Sequence, residues 1–169
     1  LKDLSLAEKQ GNTARLEELK AIRAERFELM GLLTQLPNDL VFFTQITMEA
    51  GEDTEFLDAM HKAHIHGALV GVESATAEGL KAVFKDFNLV GDNLAKRLQT
   101  FKDHGIHILG SFIFGLSTDR PDTFAATAEM AKRSGIDFAQ FVLLTPLPGT
   151  VDFERWEKTT GENIERVKG

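Results

Sequence analysis

The sequence predicts an α/β domain in which parallel strands alternate with helices. Three observations carry this reading. Apolar runs stop abruptly at small or polar residues at Gly67 to Ser74, His107 to Thr123 and Phe138 to Thr150; helical spacings fill the gaps; and the runs recur at a steady interval. Runs rich in Val, Ile, Leu and Phe read as parallel strands buried on both faces, and such strands present their carboxyl ends to ligands.

Each element follows from its residues. Leu16, Leu19, Ile22, Phe27, Met30, Leu33 and Leu36 recur at spacings near three and four, predicting an amphipathic helix from Arg15 to Leu36 that Pro37 ends. Leu40 to Met48 reads as a strand, because β-branched and aromatic residues dominate it. A helix from about Asp53 to His64 places Phe56, Leu57 and Met60 on one face, and Ala68 to Val72 forms the second strand. Helices follow at about Thr76 to Phe84 and Asp92 to His104, with Gly105 as the expected C-cap glycine. Ile106 to Phe114 is the third strand, Pro121 suits the first turn of a helix ending before Gly135, and Phe138 to Leu144 is the fourth strand. Residues 152–169, with Trp156, read as a helical tail. The strands start at intervals of about 30 residues, which fits successive right-handed strand–helix–strand units in one domain spanning 1–169. A closed barrel and an open sheet both satisfy that period.

Composition narrows the function classes. The 43% hydrophobic and 27% charged fractions are those of a globular chain, and no apolar run approaches the ~20 residues of a membrane span. A net charge of −7 with scattered Lys and Arg disfavours a nucleic-acid partner, which needs a concentrated cationic face. Cysteine is absent, so the sequence offers no disulfide, no thiolate nucleophile and no sulfur ligand for zinc or an iron–sulfur cluster. Residue 1 is Leu and no leader precedes the helical pattern, so the reading is a cytoplasmic fragment without a secretory signal.

Several polar groups stand out. Glu73 and Ser74 end the second strand, where a carboxylate can accept hydrogen bonds from ribose hydroxyls or an ammonium group; an acid favoured by the following helix dipole reads equally well. Lys85 lies beyond the next helix, where an ammonium can return to the same mouth and bind a carboxylate, although a solvated cation is the plainer reading. Gln45, Ser111 and Gln140 interrupt apolar strands and must either bond across the core or face a ligand. Gly110 and Gly115 flank the polar break at Ser111, and Thr145-Pro146-Leu147-Pro148-Gly149-Thr150 is a rigid turn at a strand end. His61 and His64 are expected on a helix with His66 beyond it, without a registered carboxylate or Cys, so surface or capping roles are expected and no metal site is assigned. No complete dinucleotide fingerprint, phosphate loop or nucleophile elbow is present.

Gly71-Val72-Glu73-Ser74, Gly79-Leu80-Lys81 with Lys85, Gly110-Ser111-Phe112-Ile113-Phe114-Gly115-Leu116 followed by Asp119-Arg120-Pro121-Asp122-Thr123-Phe124, and Leu144 to Thr150 occur in an order and spacing that resemble the later half of a radical SAM enzyme. The nearest resemblance is to members that carry an upstream cobalamin-binding domain, and it covers about Phe27 to Lys158, with residues 1–26 matching poorly. The resemblance implies a partial (β/α) TIM-like barrel holding the last four of six strands. It also implies S-adenosylmethionine and a [4Fe-4S] cluster that together generate a 5′-deoxyadenosyl radical, in a parent enzyme such as a cobalamin-dependent methyltransferase.

By motif, Glu73 and Ser74 would bind the ribose or the methionine amino group, and Lys85 the methionine carboxylate. Ser111 would bond the ribose, Ile113 and Thr145 would line the adenine, and Gln45 and Thr47 are looser matches. The partners implied are a small-molecule substrate, a reductant protein, the first barrel half and the cobalamin domain. The cluster's cysteine loop has no counterpart here. A non-catalytic half barrel, or a stand-alone module for an adenine-containing ligand, is the alternative.

Overall fold

The computed structural model describes residues 2–84 and 91–161. Its centre is a four-stranded parallel sheet in sequential order, β1 (Phe42–Ile46), β2 (Ile65–Glu73), β3 (His107–Phe114) and β4 (Phe138–Leu143). The helices are α1 (Lys2–Lys9), α2 (Thr13–Leu33), α3 (Thr54–Lys62), α4 (Ala77–Ala82), α5 (Gly91–Asp103), α6 (Pro121–Arg133) and α7 (Val151–Thr160). The four expected strands are therefore parallel neighbours. A short 3-10 turn at Met48–Glu52 and the helix α1 were not foreseen.

Local chemistry sets the helix ends. Asn12, Asp53, Thr76 and Thr150 each accept a backbone N–H of the first turn of the following helix. Pro121 opens α6, and Gly105 closes α5 with φ of 75°. Thr123 accepts the Arg120 N–H at 2.9 Å, so the first turn of α6 is tied before the helix begins.

The helices cover one face of the sheet. Ala68, Val70 and Val72 of β2 and Ile108 and Phe112 of β3 point into a core closed by Leu57 and Met60 of α3, Leu94, Leu98 and Phe101 of α5, and Met30 of α2. Arg23 locks α2 to α3: its guanidinium makes a two-pronged bond to Asp53 at 3.0 and 3.1 Å, reaches Glu55 at 2.8 Å and lies 4.4 Å above the Phe27 ring.

Burial on both faces, expected of all the strands, fails at β4. Every residue of β4 is exposed, and Phe138, Phe141 and Leu143 are at least half so. The reason is positional: β4 is an edge strand, and α6 shields only part of its helix side, through the Phe114–Phe124 and Phe114–Phe141 ring contacts. Among the described residues the other face of the sheet carries no helix, and its residues Gln45, Ser111 and Ile113 are only partly covered or exposed.

At the amino end of the sheet Asp137 sets the start of the β3–β4 ladder. Its carboxylate accepts the Ile108 N–H at 2.9 Å and meets His107 Nδ1 at 3.2 Å, with Lys102 Nζ at 3.8 Å. Burial pushes this carboxyl up, but the Ile108 N–H, His107 and Lys102 outweigh it and hold it below its ordinary value. A depressed carboxyl stabilises the fold above its unfolded pKa and loses that contribution as pH falls through the lower folded value. Asp137→Ala should cost about 1–3 kcal/mol in chemical denaturation at pH 7 by orphaning the Ile108 N–H. That difference should shrink below about pH 4, the ordinary carboxylate range; a gap independent of pH would contradict this account.

Candidate functional site

Parallel pairing fixes which side chains share the open face, because in-register neighbours point the same way and successive residues alternate. Gly71 pairs with Ser111 and Ser111 with Gln140, so these form one rung. Ile113 pairs with Val142 toward the carboxyl end, and Gln45, Leu69, Leu109 and Phe138 form a rung toward the amino end. Polar groups thus lie in an apolar surround on the face that the helices leave open.

Glu73 is placed by backbone strain. The β2–β3 register shifts between Gly71 and Glu73, and Glu73 itself has φ of 70°, a left-handed conformation that costs a non-glycine residue about 1–3 kcal/mol. Its side chain folds back over Gly71: a Cβ at position 71 would collide with the Glu73 carboxylate. The carboxylate therefore lies beside the rung that holds Ser111. Gly71 makes room for that close approach, and its own backbone angles do not call for glycine.

Ser74 behaves differently from its neighbour. It is buried, its Oγ accepts the Thr76 N–H at 3.2 Å and lies 3.3 Å from Thr76 Oγ1, and Gly79 of α4 packs so tightly on it that a Cβ there would collide with Ser74. Gly71-Val72-Glu73-Ser74 through Gly79 is thus one folded unit that aims Glu73 outward and ties Ser74 inward. Thr76, not Glu73, caps α4.

Beyond β3, Asp119 Oδ2 accepts the N–H groups of Gly115 at 2.7 Å and Leu116 at 3.0 Å, shaping the loop at the carboxyl edge. Gly115 has φ of 94°, which only glycine adopts freely. Thr145 lies two residues past β4, exposed, with its hydroxyl donating to the Leu143 carbonyl at 3.1 Å.

The structure accordingly brings Glu73 and Ser111 together, with Ile113 one step further along β3. Gln45 lies two strands away, Thr145 lies beyond the edge strand, and Lys85 lies outside the described residues. Gln140 joins the Ser111 rung. As a polar break in an apolar strand it was visible in the sequence, but its partner was not, because registration between strands is a long-range property.

The histidines occupy the opposite end. The helix α3 stops at Lys62, so His64, expected on the helix, falls in a turn with φ of 62°, while His66 lies beyond the helix as expected, in β2. Burial first, then the nearby His61, His64 and His107, hold His66 below its ordinary value, against the opposing Gly105 carbonyl.

A parallel strand–helix sheet with its polar groups on the open face toward the carboxyl edge is a segment of a (β/α) barrel. No protein-family model matches the chain. It is 34% identical over 106 residues to an uncharacterized methyltransferase of Pyrococcus horikoshii, covering 63% of this chain and 22% of that protein. It is 29% identical over 114 residues to the hopanoid C-2 methylase of Rhodopseudomonas palustris, covering 68% and 21%. The fold matches coproporphyrinogen III oxidase of Escherichia coli, a radical SAM enzyme, with a TM-score of 0.65 at 18% identity, over 78% of this chain and 31% of the other. The chain is thus similar in sequence to methyltransferases and in fold to part of a radical SAM enzyme. It spans about a fifth of the length of the curated relatives described.

Because Glu73 is strained where glycine would not be, Glu73→Gly should raise stability by about 1 kcal/mol while removing the carboxylate from the open face. Thermal unfolding reads this directly; a lower melting temperature would show that contacts of the carboxylate outweigh its backbone strain.

Proposed function

We propose that this chain supplies the S-adenosylmethionine-holding strands of a radical SAM enzyme, with Glu73 and Ser111 on the ribose or methionine amino group and Ile113 against the adenine. The observation that carries the reading is the Glu73 carboxylate folded over Gly71 beside Ser111. A carboxylate and a hydroxyl at one rung match a vicinal diol or an ammonium group, and glycine leaves the floor of that site open to a flat ligand. Gln140 adds an amide to the same rung. In this proposal Gln45, Ser74 and Thr145 take outer positions, with Ser74 acting through the turn that orients Glu73, and Lys85 pairs with the methionine carboxylate.

The chain fits the nucleoside and methionine portion of such a ligand and does not fit the cluster. A [4Fe-4S] cluster takes thiolates, and these 169 residues hold no cysteine, so its ligands in this proposal come from outside the sequence given. What this chain does itself is bind and orient: Glu73 and Ser111 would fix the ribose end while the apolar rungs exclude water. The methylase and methyltransferase names of the relatives support a methyl-transferring parent enzyme, and a cobalamin domain is the further partner we propose. A small-molecule substrate, a reductant protein and a cytoplasmic location complete the reading. No helix of the described residues is long and apolar enough to cross a membrane.

The test compares two proteins by calorimetry and by release of 5′-deoxyadenosine. A longer product that includes a cysteine loop and reconstituted cluster should bind and cleave S-adenosylmethionine. Glu73→Ala and Ser111→Ala should each weaken binding by about tenfold, the scale of one hydrogen bond to a charged or polar partner. The 169-residue chain alone should show feeble binding and no cleavage. Micromolar binding by that chain alone, abolished in Glu73→Ala, would instead establish a stand-alone module for an adenine-containing ligand.

A further inference from the structure

All five histidines of the sequence gather at the amino end of the sheet or on the helix ends beside it: His61 at the end of α3, His64 in the following turn, His66 in β2, His104 just after α5 and His107 at the start of β3. Two of them face each other. His61 Nδ1 lies 3.1 Å from His66 Nδ1, with the rings edge to face at 76° and centroids 4.6 Å apart. His61 Nδ1 also lies 3.3 Å from the Gly105 carbonyl oxygen.

This arrangement sets a second ring nitrogen and a carbonyl oxygen close beside His61 Nδ1. Two nitrogens bound to a single ion at the usual 2.0–2.1 Å stand about 2.9–3.4 Å apart, from right-angle to tetrahedral geometry. The 3.1 Å gap falls inside that range. The position of His61 is also built in. A Cβ on Gly105 would lie 2.6 Å from the His61 ring, so the glycine that ends α5 with φ of 75° leaves the space the imidazole occupies. His61 is exposed and His66 partly so, which gives an ion a path in and water a place to complete the coordination.

We infer that His61 and His66 form a binding site for one borderline divalent transition metal ion, Zn²⁺, Ni²⁺ or Cu²⁺, with the Gly105 carbonyl as a neighbouring oxygen ligand. Imidazole nitrogens select these ions over Mg²⁺ and Ca²⁺, which take oxygen ligands. Among the described residues no three His, Cys, Asp or Glu side chains converge as a ligand set. The site is therefore an open one, with coordination positions left to water or to a donor from another molecule. His66 and Glu73 stand at opposite ends of β2, about 23 Å apart at 3.3 Å per residue, so this ion would take no part in binding at the open face.

The 169-residue chain, titrated with ZnCl₂ by calorimetry and with CuCl₂ by electron paramagnetic resonance, tests the inference. One equivalent should bind, with a spectrum showing two equatorial nitrogens. His61→Gln and His66→Gln should each weaken binding at least tenfold, while His104→Gln, which removes the histidine paired with Asp58, should leave it unchanged. Circular dichroism confirms that each variant is folded, and a metal-dependent rise in melting temperature should appear in the native chain and vanish in both site variants. Absence of binding, or equal binding by all three variants, would show that the gap holds only a proton shared between two imidazoles and would overturn the site.

Discussion

The pairing of Gly71 on β2 with Ser111 on β3 is the contact on which the open face depends. Because the ladder is parallel, it stacks the residues of four strands in rungs at a spacing of about 4.8 Å and turns all carboxyl ends to one edge. Gly71 contributes by lacking a side chain, which lets the Glu73 carboxylate lie beside Ser111. Slipping this register by one residue would carry Ser111 to the helix side and Phe112 to the open side. The buried helix-side residues Val70, Val72, Ile108 and Phe112 prevent that slip, so the hydrophobic core is what specifies the polar face opposite it.

Much of this was legible because it is local. Apolar runs marked all four strands; Pro121 and Gly105 marked helix boundaries that the backbone confirms; and the order of the motifs pointed to the radical SAM superfamily. What escaped is non-local. The apolar run of β4 has the composition of a buried strand, and its exposure follows from its place at the edge, which composition does not encode. The left-handed backbone of Glu73 gave no sequence signal, since glycine, not Glu, is the residue that announces such a conformation. His61 and His66 are joined only because α3 ends at Lys62 and β2 begins at Ile65, placing two rings on different elements against Gly105 from a third.

The two ends of the sheet divide the physical tasks. The amino end is tied by polar links between elements: Asp137 to the β3 backbone, Lys102 to the Gly135 carbonyl at 2.7 Å, and His104 to Asp58 at 2.5 Å. The carboxyl end carries the strained Glu73 and the glycine turn at Gly115. Strain at one residue persists only when surrounding structure over-determines it. Here the core behind the sheet and the Ser74–Thr76–Gly79 turn supply that constraint, which is why Ser74 is buried and bonded while Glu73 is turned outward.

The apolar surface of β4 works against the stability of the sheet as it stands. Phe138 and Val142 are exposed on the open face, Phe141 and Leu143 on the helix side, and among the described residues the strand pairs only with β3. Proteins that keep an edge strand in water blunt it with charge, proline or a bulge; the Phe138–Leu143 strand, Phe-Ala-Gln-Phe-Val-Leu, has none of these. Leaving these side chains in water forfeits roughly 1.5–3 kcal/mol for each large apolar group that could have been buried. The same residues that make β4 a sound fourth strand therefore favour covering it, whether by further chain or by association. Gln140, the single polar side chain of β4, stays on the rung of Ser111, so the apolar edge strand still carries one hydrogen-bonding group on the open face.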